Sequence, residues 1–222
     1  MSHTVHPYSH RLGILREWKS RWFGDNKKYR DYLKGDILLR EYLAKKLADM
    51  HVADIEIERN DSMLRIVIKT SRPGLIIGRS GEGAVKLRTD IQRLLNKKGL
   101  VLENVELKID IEEVKSPESN AQLVALMVKD ALQKRMPFRR VLKQMVDKVM
   151  ANRDVEGVRI RIGGRLNGAD MARTEELKKG RIPLQTFRAD IDFARERAKI
   201  PQGTLGIKVW IYRGEVFEND TK

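Results

Sequence analysis

The 222-residue chain contains no cysteine, which excludes a disulfide framework and any thiolate metal site. Long apolar runs are missing too. The longest, Leu123 to Val128, is far too short to span a bilayer. The opening stretch Met1-Ser2-His3-Thr4-Val5-His6-Pro7 lacks the apolar centre of a secretory signal, and the lack of cysteine makes a reducing cytoplasm the expected setting. Aromatic residues make up only 6% of the chain, which leaves little material for extensive ring stacking. No internal repeat or low-complexity tract is visible.

Acidic residues are the scarcer charge: 31 Asp and Glu stand against 45 Lys and Arg, a formal net charge of +14. The surplus is not evenly spread. Residues 1–35 carry 8 cations and 3 anions, and residues 134–181 carry 14 and 6. Residues 36–111 are nearly balanced, at 14 against 12. Segregated cations of this kind point to a polyanion, because each neutralised phosphate releases condensed counterions. A membrane-surface helix fits less well, since the cations lie among Gly and Pro and on strands as well as on one helix. Neither a membrane nor a small-molecule substrate is expected as a partner.

The most specific local pattern is Arg72-Pro73-Gly74-Leu75-Ile76-Ile77-Gly78-Arg79-Ser80-Gly81-Glu82-Gly83. Gly78 and Gly81 let the backbone approach another polymer closely, because no Cβ intervenes. Arg79 and Ser80 lie between them, and the amides opening the next helix can face an anion. That is the chemistry of a KH loop, which clamps about four nucleotides by their backbone. Two rival glycine motifs fail. A Walker loop needs Lys then Ser or Thr after its last glycine, and Ala84 and Val85 stand there. The dinucleotide pattern G-x-G-x-x-G is absent, since the glycines fall as G-x-x-G-x-G.

A bare G-x-x-G is weak evidence, so its surroundings decide. Leu38, Leu39, Tyr42, Leu43 and Leu47 recur at helical spacing, with Gly35 and Asp36 as the expected start. Two alternating strands follow, one through Val52, Ile55 and Ile57 and one through Leu64, Ile66 and Ile68, joined by the turn Asn60-Asp61-Ser62. After the glycine loop, Ala84, Leu87, Ile91, Leu94 and Leu95 mark a helix, and Val105, Leu107, Ile109 and Ile111 mark a strand. The order αββααβ is that of a type II KH domain, assigned to residues 36–113.

Residues 114–217 read as a second α/β domain, with two helices packed on a mixed sheet. Ser116-Pro117-Glu118 is the expected start of the first helix. In the second, Phe138, Val141, Leu142, Met145, Val146, Val149 and Met150 form one buried stripe. Arg139, Arg140 and Lys143 project together from its other side, with only Asp147 to neutralise them locally. Strands are expected through Val158–Ile162, through Ala189–Phe193 and through Ile207–Tyr212. The basic loop Gly163–Gly168 and Arg181-Ile182-Pro183-Leu184 fall between the first two. Residues 1–35 read as a basic arm, pinned by Trp18, Trp22 and Phe23, and 218–222 as a short tail.

His3, His6 and His10 have no adjacent carboxylate, so no metal or cofactor is expected there. The paired acids Glu112-Glu113, Glu175-Glu176 and Asp190/Asp192 fit partners for arginine better than a nuclease metal site. A structural RNA-bound protein, a free KH factor in RNA assembly or decay, and a nucleic-acid enzyme are the three classes to weigh. The last ranks lowest, and no catalytic residue is assigned.

Several ordered motifs resemble the family of KH-bearing small-subunit ribosomal proteins, third in the bacterial numbering. They are Val5-His6-Pro7 with Arg11-Leu12-Gly13-Ile14; Ser71 to Glu82; Phe138-Arg139-Arg140 with Lys143; Gly164 to Ala169 and Ala172 to Glu175; Gly180 to Leu184; Arg188 to Asp192; and Gly206 to Ile211. The resemblance spans nearly the full length. It implies a seat on the small-subunit head, small-subunit rRNA and neighbouring head proteins as partners, and a role for Arg139, Arg140 and Lys143 at the mRNA entrance. Contacts to rRNA are expected from Arg11, Arg16, Lys19 and Arg21 in the arm and from Arg165, Arg173 and Arg181. The chain departs from the family pattern at Ser9, Ser80, Gln144 and Ile200–Gly203.

Overall fold

The structure is a computed structural model that describes residues 5–60, 62–99 and 105–217. Asp61 of the expected turn, His3 and the 218–222 tail lie outside the described residues. In chain order the elements begin with α1 (Pro7–His10), β1 (Ser20–Arg21), α2 (Asn26–Lys46), β2 (Val52–Arg59) and β3 (Met63–Thr70). Next come α3 (Pro73–Ile77), α4 (Glu82–Lys97) and β4 (Glu106–Glu113). The rest are α5 (Ala121–Gln133), α6 (Phe138–Met150), β5 (Gly157–Gly164), β6 (Arg173–Gly180), β7 (Ala189–Ile200) and β8 (Gly203–Glu215).

Two compact units result. One is Trp18–Lys115; the other joins Met1–Glu17 to Ser116–Lys222. Residues 1–35, read from sequence as one arm, are therefore shared between the two units.

In Trp18–Lys115 the strand order is β1-β2-β3-β4. β2 is antiparallel to β3, and β3 is parallel to β4. A parallel neighbour needs a crossover, and α3 with α4 supply it, completing the expected αββααβ order. Ile57, Leu64, Ile66, Ile68 and Leu107 are buried on the inner face, beneath Leu39, Leu43 and Leu47 of α2 and Leu87, Ile91 and Leu95 of α4. Each contributes on the order of 1.5–3 kcal/mol through burial. On the outer face cations and acids interlock. Arg21 meets Glu56 and Glu58, Lys69 meets Glu56, and Arg65 meets Glu58 and Asp110.

Two expectations change here. α2 starts at Asn26, well before Gly35 and Asp36. Asp36 is no cap: buried within the helix, it accepts from Trp22 Nε1 at 2.7 Å and faces Arg59 at 3.6 Å. Of the aromatics expected to pin the arm, only Trp22 does so, against Tyr29 and Tyr32. Trp18 and Phe23 are exposed. The two-residue strand β1, paired with β2 through Ser20 and Ile57, is too short to carry a period.

In the other unit the sheet order is β6-β5-β8-β7. Every pairing is antiparallel, where the sequence led to a mixed sheet. α5 and α6 cover one face as expected, burying Val124, Val128, Val141, Val146 and Val149 against Val158, Ile160, Ile207 and Val209. α5 is capped by Asn120, whose Oδ1 accepts from the N–H of Gln122 at 3.0 Å and Leu123 at 3.2 Å. Pro117–Ser119 forms only a 3₁₀ turn before it. β6 is a further strand not foreseen, because RTEELKKG is almost wholly exposed at the sheet edge and shows no apolar alternation.

Candidate nucleic-acid interface

The glycine loop joins α3 to α4 through a single 3₁₀ turn, Arg79–Gly81. Three residues with positive φ bend it. Gly78 has φ 71°, Gly81 has φ 83°, and Ser80 takes a left-handed φ of 53°, unusual for a residue with a side chain. A Cβ on Gly81 would meet nothing within 4 Å, so the loop's outer edge is open to an incoming backbone. Gly83 has the opposite role. A Cβ there would lie 2.5 Å from the Ile76 carbonyl oxygen, so glycine is what lets α4 close on α3. Gly78, Arg79 and Ser80 are exposed. The N-cap Gly81 has no side chain to cap α4, and the first amide of the helix, that of Glu82, is held by the Arg79 carbonyl.

A second cationic group sits on α6. Arg139, Arg140 and Lys143 are exposed there, opposite the buried stripe of Phe138, Val141, Leu142, Val146 and Val149. Asp147 is taken by Lys179 at 3.1 Å, and Lys148 pairs with Glu118 at 3.3 Å. Arg139 reaches Glu175 at 3.4 Å across to β6. Arg140 and Lys143 have no ion pair among the described residues. The helix thus presents two uncompensated cations on a rigid backbone.

The remaining sequence-chosen cations divide. Arg11 is a correction: it is fully buried, with Nε donating to the Ala189 carbonyl at 2.6 Å and the other nitrogens to Pro7, Leu184 and Thr186. No face of this guanidinium is left for a phosphate. Burial draws its pKa down, partly opposed by Asp190. Arg16 is held by Asp190, Lys19 by Asp54, and Arg21 by Glu56 and Glu58. Arg165 braces its own loop through Ala169 O at 3.0 Å and Asp170 at 3.1 Å. Arg173 sits 3.5 Å from Glu175, and Arg181 is exposed.

Glu175, Glu176, Asp190, Asp192, His6 and His10 have local partners, whereas Glu112 and Glu113 have no ion pair among the described residues. Asp192 accepts from the Ala121 N–H at 2.8 Å and from Arg213 at 3.2 Å. Asp190 meets Arg16 and Arg213. His6 Nδ1 accepts from the Tyr8 N–H at 3.2 Å, and His10 stacks on Phe187 at 4.2 Å. The structural role of Arg11 was invisible to sequence reasoning. Its signal, a lone Arg just past a Pro-initiated turn, does not reveal carbonyls more than 170 residues away.

A type II KH fold with an open glycine loop defines a class of proteins that hold single-stranded nucleic acid by its backbone. The sequence profile described as "KH domain" matches residues 38–119, and that described as "Ribosomal protein S3, C-terminal domain" matches residues 128–211. The chain is 43% identical over 218 residues to a small ribosomal subunit protein uS3 of Nitrosococcus oceani, covering 98% of this chain and 94% of that protein. It is 45% identical over 216 residues to uS3 of Alcanivorax borkumensis, covering 97% and 90%. It is 41% identical over 216 residues to uS3 of Caldicellulosiruptor saccharolyticus, covering 97% and 94%. The chain belongs to the uS3 family of ribosomal proteins. It is accordingly an RNA-binding ribosomal protein and not an enzyme.

Proposed function

We propose that the chain is a constituent of the small-subunit head of the cytoplasmic ribosome, held there by rRNA and neighbouring head proteins. In this reading α6 faces incoming mRNA at its entrance, with Arg140 and Lys143 as the principal phosphate ligands and Arg139 beside them. The observation that carries it is the absence of any carboxylate partner for Arg140 and Lys143 among the described residues, on a helix whose other cations are paired. A fixed cationic helix holds phosphates without reading bases, which suits a channel that must pass any message. Arg16, Lys19, Arg21, Arg165, Arg173 and Arg181 are assigned to rRNA. Most would exchange an internal acid for a phosphate on assembly. The loop Gly78, Arg79, Ser80 and Gly81 is assigned to RNA backbone.

The test replaces Arg139, Arg140 and Lys143 by Ala in the full chain and reconstitutes subunits. Assembly should proceed normally, with translation slowed on messages bearing hairpins and unchanged on unstructured ones. Equal slowing on both kinds of message would reject the entrance role. Failure of the unaltered chain to co-sediment with small subunits would reject the ribosomal seat.

A further inference from the structure

The sheet face turned away from α5 and α6 carries an unusual arrangement. Arg161 on β5 and Arg195 on β7 both have Lys208 of the intervening β8 as their direct cross-strand partner. Three cations therefore stand abreast, each neighbour one strand spacing away, roughly 4.8 Å. Like charges directly opposite one another work against pairing. The nearby acids do not relieve them. Glu176, the direct cross-strand partner of Arg161 on β6, is drawn instead to Arg159 at 2.6 Å. Glu196 turns to the helix side, accepting from Gln122 at 2.6 Å and meeting Lys129 at 3.8 Å. Arg161, Arg195, Arg197 and Lys208 have no ion pair among the described residues.

Beside this row the sheet has a floor without side chains. Gly163 pairs with Gly206, and Gly206 with Arg197. A cavity of about 270 Å³ opens there, with Thr174 at its rim. The fold does not require glycine at 206, because the nearest atom to a Cβ would be Gly163 O at 3.9 Å. A strand glycine of that kind marks a place where another chain or ligand comes close.

We infer that this face is an additional RNA site, in which a backbone phosphate rests on the Gly163–Gly206 floor and is enclosed by Arg161, Lys208, Arg195 and Arg197. The inference rests on the reading of the chain as an rRNA-binding protein and adds a surface that reading did not include. RNA fits better than an acidic protein. Protein interfaces centre on buried aromatic or arginine anchors in pockets, whereas the three aromatic rings of this face are already covered, Tyr212 by burial. Trp210 lies under Arg159 at 5.0 Å, and Phe193 is met edge-on by His6 at 4.7 Å. Arg195 and Arg197 project from the same side of β7, roughly 6.6 Å apart, and extend the row into a track along a polyanion.

The experiment measures binding of a mixed-sequence RNA hairpin to the full chain by fluorescence anisotropy across a salt series. Arg195→Ser/Arg197→Ser should bind several-fold more weakly, and the slope of log K against log salt should shrink by about 1.4 to 1.8. Gly206→Thr keeps every charge and suits a strand, so it should melt no lower than the unaltered chain, yet bind more weakly because the floor is filled. Lys97→Ser/Lys98→Ser, removing the same charge elsewhere, should cost less. Unaltered chain binding with both site variants indistinguishable from it would overturn this site alone, as would an equal loss in the Lys97/Lys98 control. An unaltered chain that ignores the hairpin would overturn the rRNA reading and this site with it. Unchanged RNA affinity with loss of incorporation into subunits would give the face to an acidic protein and reject RNA.

Discussion

Arg11 Nε donates to the carbonyl oxygen of Ala189 at 2.6 Å, joining residues 178 apart in sequence. The same guanidinium gathers carbonyls from Pro7, Leu184 and Thr186, so a rigid five-donor fork organises an irregular segment that has no ladder of its own. Arg11→Ala should strand those buried acceptors and destabilise its unit by roughly 3–5 kcal/mol. Arg11→Lys should recover only part, because an ammonium cannot span the same set of oxygens. Thermal melts of the three proteins check this, and an alanine variant melting with the parent would refute it.

Two neighbouring glycines should respond in opposite ways. Gly83→Ala places a methyl 2.5 Å from Ile76 O and 2.8 Å from Ile77 O, a backbone clash expected to cost about 2–3 kcal/mol. Gly74, within α3, has open space at its Cβ position. Gly74→Ala should leave stability unchanged or raise it by about 0.4–1 kcal/mol. Urea titration of both variants separates packing from chain entropy, and a shared direction of change would be inconsistent with this geometry.

Ser80 holds φ 53°, and a left-handed residue with a Cβ costs roughly 1–2 kcal/mol. Ser80→Gly should therefore stabilise the KH unit by up to about 1 kcal/mol, less the entropy glycine adds to the unfolded chain. Ser80→Val should destabilise it. The midpoint of chemical unfolding reports both.

Asp90 and Lys46 form a pH-sensitive pair between α4 and α2. The hydrogen bond from Lys46 draws the Asp90 carboxyl below its ordinary value. Lys46 is raised overall: burial pulls it down, but the hydrogen bonds with Asp90 and Tyr42 outweigh that. The Asp90 contribution is present above its unfolded value, about 3.9, and is lost as pH falls through the lower folded value. That of Lys46 is present below its unfolded value and lost as pH rises through the higher folded one. Asp90→Asn should be less stable than the parent at neutral pH and converge with it in strong acid. A constant gap across that range would contradict the pairing.

Much of the KH unit is legible from residue order, because its strands alternate cleanly and its helices carry leucines at four-residue intervals. Those signals arise from burial on one side, and they vanish where burial does. β6 escaped notice for that reason: Leu177 is the lone apolar residue in an exposed edge strand. The start of α2 was misplaced because Gly35 and Asp36 have the chemistry of a cap, while Asp36 is in fact a buried acceptor for Trp22. On α6, the shared exposed face of Arg140 and Lys143 was legible from helical spacing. The Arg11 role and the Arg161–Lys208–Arg195 row depend on partners brought together by the fold, which no local window contains.

The unit formed by Met1–Glu17 with Ser116–Lys222 is discontinuous, and this sets an order of events during synthesis. Chains emerge from the N-terminus and domains tend to fold as they appear. The contiguous segment Trp18–Lys115 has all its strands once Glu113 is out. The segment just before Trp18 must wait, with the Arg11 side chain hydrated and idle, until the carbonyls at 184–189 leave the tunnel. A segment made before the KH unit is thus among the last to find its place, and a product truncated before residue 184 would leave Arg11 without its carbonyl partners.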